Sequence, residues 1–272
     1  MLFKWWPLRA HYVGGGVAEV ISESLEHGVM LFRINRPDAR NALNLAVREQ
    51  LAAGFQAASG SAAAKAVVIC GSARAFAAGT DLKELADLDA VGAFNRRAPE
   101  LMRPITDCRK PVIAAVNGLA LGGGFELALA CDILIVGENA SLGLPEVKVG
   151  LMPGGGGTQR LTRLVGKHVA MLLALTGRVF SGVEAGRMGI ASLVVPDDDV
   201  LAISLQVATE IAKLPPIAIQ LIKDTIKQGA DQSLEAALSL ERRAFQFLFS
   251  TTDQKEGIAA FLEKRPPSFR GH

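Results

Sequence analysis

Residues 110–137 read KPVIAAVNGLALGGGFELALACDILIVG, and the order of apolar runs and glycines in them decides the fold. The short apolar runs 111–116 and 133–136 have the length and composition of strands buried on both faces. Between them, 124–131 reads as a short helix opened by Gly122, Gly123 and Gly124. Strand, helix and strand in that order imply mainly parallel pairing and an α/β class. The whole stretch is apolar, but Asn117, Glu126 and Asp132 interrupt it together with several glycines. It is too polar and too broken for a lipid span.

The same pattern extends on both sides. Residues 17–22 and 29–35 alternate as strands, and 66–70 is another continuous apolar strand. Residues 41–58 read as a helix capped by Asn41 or Asn44, with Leu45, Leu51 and Phe55 inward. Residues 91–108 are expected to be helical. After Leu161 the chain turns mostly helical. Ser181-Gly182-Val183-Glu184 has the form of a capping box. Helices are expected over 200–213, 216–229, 233–250 and 252–264. Leu234, Ala237, Leu238, Phe245 and Leu248 form an apolar stripe at helical spacing, the usual signature of a core face.

Two carboxylates carry the chemistry. Glu126 follows the triple glycine, and Glu146 lies in Leu144-Pro145-Glu146, shortly before Gly154-Gly155-Gly156-Gly157. A glycine run lets backbone approach a ligand, and a helix start aims unpaired N–H groups at it. Such donors stabilise charge developing on a carbonyl oxygen. Two nearby carboxylates cannot ionise independently, so together they supply one acid and one base. Alone, a triple glycine is more often a turn, and a helical Glu is usually solvated. What sets these apart is their order behind a third segment, Ala75-Phe76-Ala77-Ala78-Gly79-Thr80-Asp81.

On these residues the chain, from about Glu19 to Arg270, resembles the crotonase superfamily and within it the enoyl-CoA hydratases. Asn35-Arg36-Pro37, Asn41-Ala42-Leu43, Cys131-Asp132-Ile133, Thr158-Gln159-Arg160-Leu161 and Phe261-Leu262-Glu263-Lys264-Arg265 extend the match. The resemblance implies a crotonase-type spiral of ββα units over 17–200 and a helical trimerisation region over 201–272. It implies an oxyanion hole from the N–H groups of Thr80 and Gly123. It makes Glu126 the group that activates water for C3 and Glu146 the group that protonates C2. Further acyl-CoA contacts are implied at Ala39, Arg40, Ala77, Ala78, Asp81, Leu82, Lys83 and Gly122. Phe261 and Lys264 are implied to reach coenzyme held by a neighbouring subunit. Thr80 stands where many relatives carry Ala, and its backbone N–H is retained. Arg40 is the basic residue available near the expected adenine pocket. The implied partner is an acyl-CoA substrate whose coenzyme A is part of the substrate, with no separate cofactor and no metal. The implied assembly is a homohexamer of two trimers in the cytoplasm. An isomerase, or a hydratase of a branched or carboxylated acyl-CoA, remains the nearest alternative.

Composition narrows the rest. The 272 residues are half hydrophobic, enough for a sizeable core. A net charge of +2 without a basic tract argues against nucleic acid as the main partner. An RNA-binding relative of the superfamily uses a lysine comb on an early helix; 48–56 carries none. Cys70, Cys108 and Cys131 have no close-spaced pair and read as reduced, buried thiols. His11, His27, His168 and His272 are scattered, with no metal spacing. The phosphate-loop, dinucleotide and serine-hydrolase motifs are absent. Asp132 reads as a structural acceptor for loop amides. Residues 1–16 match nothing in the family and are expected to be a disordered leader.

Overall fold

The computed structural model describes residues 18–96 and 98–272; the leader expectation for 1–16 lies outside them. The chain opens with β1 (Val20–Ser24) and β2 (Val29–Ile34), then α1 (Leu45–Gly60). A repeating unit follows, in which a longer strand, a short strand and helical chain succeed one another. The first unit is β3 (Ala66–Cys70), β4 (Ala75–Ala77), α2 (Ala90–Asn95) and α3 (Ala98–Thr106). The second is β5 (Val112–Val116), β6 (Leu119–Leu121) and α4 (Gly123–Leu129). The third is β7 (Ile133–Gly137), β8 (Ser141–Gly143) and α5 (Gly157–Thr176). Then come β9 (Val179–Ser181), α6 (Gly182–Arg187) and β10 (Leu193–Val195). The chain ends in α7 (Val200–Ala212), α8 (Pro216–Gly229), α9 (Leu234–Leu248) and α10 (Thr252–Glu263).

The longer strands form a six-stranded sheet in the order β1-β2-β3-β5-β7-β10, and the short ones a four-stranded sheet, β4-β6-β8-β9. Pairing is parallel except for β1 with β2 and β8 with β9. This is the expected spiral of ββα units: each turn adds one strand to each sheet. β3 and β5 are buried along their whole length because both faces are covered. Val67, Ile69, Val112, Ala114 and Val116 face the core between sheets and helices. Val68, Cys70, Ile113 and Ala115 face the other way, toward Val200 and Ala208 of α7. Asp132 ties this side together, its Oδ2 accepting the Val112 N–H at 2.7 Å and Lys223 Nζ at 2.6 Å.

Several local expectations are corrected. The helix expected from residue 41 begins at Leu45, capped by Asn44, whose side chain accepts the Val47 N–H at 2.9 Å. Asn41 instead has φ 58° and is buried, donating Nδ2 to the Ala75 carbonyl at 2.7 Å. Leu45 is not inward but 44% exposed, since it occupies the first turn at the edge of the core. Residues 91–108 form two helices, α2 and α3, rather than one. The stripe on α9 is not core in this chain: Leu234, Leu238 and Phe245 are 75%, 50% and 60% exposed. α9 packs mainly on α8, and these apolar side chains of its stripe are left facing solvent. The capping box at Ser181 and Glu184 forms as expected. Among the described residues no single helix is long and apolar enough to cross a membrane.

Phe55 anchors α1 on the large sheet, fully buried with its ring edge-on to Phe32 at 5.1 Å. Phe55→Ala is expected to cost about 3–5 kcal/mol of stability by leaving a cavity there. Urea unfolding checks it; a loss below about 1 kcal/mol would mean the site collapses freely.

Candidate active site

The site is built where β6 runs into α4. Gly122 turns the chain at φ 51°, and its N–H donates to the Gly143 carbonyl at 2.9 Å, joining the turn to β8. Gly123 then starts α4 with an N–H that has no acceptor among the described residues. Beside it runs the backbone of Thr80, bridged in parallel to Leu43. The Leu43 N–H donates to the Gly79 carbonyl at 2.7 Å and the Asp81 N–H to the Leu43 carbonyl at 3.3 Å. That arrangement leaves the Thr80 N–H between them free of any acceptor among the described residues. A Cβ placed on Gly123 would lie 3.4 Å from Thr80 N, so the two donors sit side by side.

Glu126 is one turn into α4 and 4% exposed. Its Oε1 accepts the N–H groups of Gly155 at 2.7 Å and Gly157 at 2.8 Å. A Cβ on Gly155 would fall 2.7 Å from Glu126 Oε2, so the loop can approach this closely only as glycine. Oε2 has no protein partner among the described residues. Glu146 reaches the site from the other side, at the start of the 3-10 turn Glu146–Val149. A Cβ on Gly122 would lie 3.1 Å from its Oε1, and its Oε2 is buried without a partner. Burial pushes the Glu146 carboxyl up to about 7, its own backbone N–H opposes this, and the charge of Glu126 adds to it. Near neutral pH Glu146 can therefore carry a proton that an ordinary carboxylate would have lost.

Both glutamates open into one cleft of about 380 Å³, together with Thr80, Gly122 and Gly123. Leu82, Leu85, Met102 and Leu151 give it an apolar wall. Of the residues expected to contact acyl-CoA, Ala78, Leu82 and Gly122 line this cleft. Ala77 is buried beneath it, its carbonyl against Gly124. The Asp81 carboxylate is engaged with Arg36 Nη1 at 3.2 Å and with the Lys83 N–H at 3.2 Å. Lys83 itself is exposed. Ala39 and Arg40 form the turn beside β4, where the Arg40 carbonyl accepts the Ala78 N–H at 3.1 Å. Phe261, 83% exposed, and Lys264, at φ 56° after α10, lie outside the cleft of this chain.

Two residues that line the cleft, Arg48 and Arg96, escaped the sequence reading, and both meet Glu84, which stands at the end of the 75–84 stretch of the family resemblance. Arg48 Nη2 donates to Glu84 Oε2 at 2.9 Å, and Arg96 Nη2 donates to the same oxygen. A signal was present for one of them. Arg48 falls three and seven positions before Leu51 and Phe55, on the inward face of α1.

Comparison with known proteins gives the family. The family model described as enoyl-CoA hydratase/isomerase matches residues 24–272. The 2,3-dehydroadipyl-CoA hydratase of Escherichia coli K12 is 46% identical over 248 residues, covering 91% of this chain and 97% of that protein. The mitochondrial enoyl-CoA hydratase of Pongo abelii is 39% identical, covering 98% of this chain and 91% of that one. Among solved structures, the enoyl-CoA hydratase of Bacillus anthracis superposes with a TM-score of 0.90 at 37% identity. It matches 93% of this chain and 100% of its own. The enoyl-CoA hydratase of Mycobacterium tuberculosis H37Rv gives 0.83 at 33% identity, covering 93% and 99% of the two chains. By fold, by length of match and by identity, this chain belongs to the enoyl-CoA hydratase/isomerase family of the crotonase superfamily.

Proposed function

We propose that the chain catalyses the reversible syn addition of water to a 2-enoyl-CoA, giving a 3-hydroxyacyl-CoA. The observation that carries this reading is the convergence of two carboxylates and two unpaired backbone N–H groups on one cleft. In this reading the thioester oxygen accepts from Thr80 N–H and Gly123 N–H, which stabilise the negative charge of the thioester enolate. Glu126, with Oε1 held by Gly155 and Gly157, turns its free Oε2 to a water molecule and takes its proton. The resulting hydroxide adds at C3 as the double-bond electrons move onto the carbonyl oxygen. Those electrons return as C2 takes a proton from the Glu146 carboxyl, whose raised pKa keeps it available as an acid. Water's oxygen and one proton end on C3 and one proton on C2. The two carboxyls exchange protonation states, and a proton returning through solvent resets them. An isomerase needs only one carboxylate, so two facing the same cleft favour the hydratase.

The remaining assignments extend this reading. Ala39, Arg40, Ala77, Asp81 and Lys83, in β4 and the turns next to it, are proposed to shape the coenzyme end of the site. Phe261 and Lys264 are proposed to act across a subunit boundary in a homohexamer, which the exposed apolar face of α9 and α10 supports. No separate cofactor is invoked in any step. A reducing, cytoplasmic setting fits the thiols. Burial pushes Cys70 up to about 11 and Cys131 above the ordinary thiol range, leaving both unreactive.

Glu126→Gln and Glu146→Gln are each expected to lower hydration by roughly 100- to 10,000-fold with the fold intact. Loss of the conjugated thioester absorbance measures it. Near-parent turnover in either variant would remove that residue from the mechanism, and an effect confined to one would favour isomerase-like chemistry.

A second expectation concerns pH. Glu146 titrates near 4.5 when unfolded and near 7 when folded. Between those values the unfolded chain releases a proton that the native state keeps. Stability is therefore highest below the lower value, falls as pH rises through about 7, and levels off above it. Denaturant midpoints of the parent should drop against those of Glu146→Gln over this window. Parallel curves for the two proteins would mean that Glu146 is not shifted.

A further inference from the structure

Three cations line the cleft without a part in the hydration just described; Lys148 is exposed, and the other two are buried. Arg48 enters from α1 and Arg96 from the end of α2, and both line the same cleft as Glu126 and Glu146. Their side chains are only 5% and 14% exposed. Arginines so buried are ordinarily matched by acids. Glu84 is the acid that touches them. Its Oε2 accepts from both guanidiniums, while its Oε1 accepts the Leu45 N–H at 2.8 Å. Burial alone would raise the Glu84 carboxyl, but the hydrogen bonds from Leu45 N–H and Arg96 hold it below its ordinary value, so it stays anionic. Among the described residues, two cations here stand against one hydrogen-bonded anion.

Among the described residues no second carboxylate hydrogen-bonds to either guanidinium. Burial lowers the Arg48 pKa, and the charge of Arg96 lowers it further. Glu49 opposes this from the exposed side of α1, away from the cleft. The Asp81 carboxylate is engaged with Arg36. A guanidinium carries five N–H donors in a planar fork. Arg48 Nε is buried with no partner, and the hydrogen bond of Arg96 among the described residues is the one to Glu84. Leu82, Leu85 and Met102 line the same cleft and make part of its wall apolar. A ligand that suits this shape has an apolar middle and an anionic end. The nucleotide of coenzyme A does not suit it, because so large and charged a group needs the open mouth rather than enclosed side chains.

Resting on the hydratase reading, we infer that Arg48 and Arg96 form a subsite for a carboxylate at the far end of the acyl chain. The favoured substrates are then unsaturated dicarboxylic acids joined to coenzyme A at one end only. Arginine suits the role because its fork pairs with a carboxylate through two parallel hydrogen bonds.

The test compares two six-carbon 2-enoyl-CoA thioesters, one ending in a methyl group and one in a carboxylate. The parent is expected to have the higher kcat/KM for the carboxylate. Arg96→Met is expected to lower the ratio of the two values by about 10- to 100-fold, the worth of a hydrogen bond to a charged group. Glu84→Gln keeps the acceptor for Leu45 but removes the competing anion, and is expected to raise the ratio. A ratio that does not change in Arg96→Met, with both rates falling together, would overturn the subsite in favour of a structural pin or a coenzyme contact. Should Arg96→Met fail to fold, a flat or falling ratio in Glu84→Gln overturns it equally. A parent that prefers the methyl-ended thioester refutes this inference alone. A folded parent that hydrates neither thioester refutes the hydratase reading and this inference with it.

Discussion

The carboxylate of Glu126 accepts two N–H groups from the glycine loop, at 2.7 and 2.8 Å, and much of the site depends on that contact. It fastens the first turn of α4 to the loop that leads into α5, joining two successive turns of the spiral. It also determines what Glu126 can do, since one oxygen is held and the other is left facing the cleft. A charge-assisted pair of backbone bonds is strong enough to hold a carboxylate in one orientation. The loop can come this close because no Cβ stands in the way at Gly155. Substituting there would displace the glutamate itself.

The second glutamate is arranged on the opposite principle. Glu126 has one oxygen held by two backbone donors, whereas Glu146 has an oxygen buried without any. Burial and a neighbouring charge then push its proton affinity up, giving two identical side chains different tasks. Gly122 sits against Glu146 and Gly123 beside Thr80, so one glycine run serves both a carboxylate and a pair of donors. The site is thus mostly backbone, held by sheet pairing on either side.

Much of this was legible from the chain. Runs such as Ala66–Cys70 and Val112–Val116 announce strands covered on both faces, and the alternation of strand and helix announces parallel pairing. Glu126, Glu146, Thr80 and Gly123 stand out by motif, and the fold brings all four to one cleft. What was hidden was hidden for physical reasons. The apolar stripe of α9 shows which side of the helix avoids water but not what covers it, so Leu234 and Phe245 read as core and are exposed. Leu45 fits the helical period yet lies in the first turn, where the core ends. Arg48 lies on the inward face of α1, but its partner Glu84 comes from 36 positions further along the chain, a pairing no local pattern encodes. Phe261 and Lys264 lie outside the cleft of a single chain, and motif matching carries no information about which chain they serve.

The central claim is that backbone donors at Thr80 and Gly123 hold the thioester oxygen while the two glutamates move the proton and the water. Isotope-edited infrared spectroscopy of the carbonyl in a bound enoyl-CoA tests it most directly. Two aligned N–H donors should polarise that bond and shift its stretch to lower frequency than in free thioester. The shift should survive replacement of either glutamate by glutamine, since neither side chain supplies the donors. A stoichiometric complex whose carbonyl absorbs at the free-solution frequency would contradict the account, because the oxygen would then lie away from both groups.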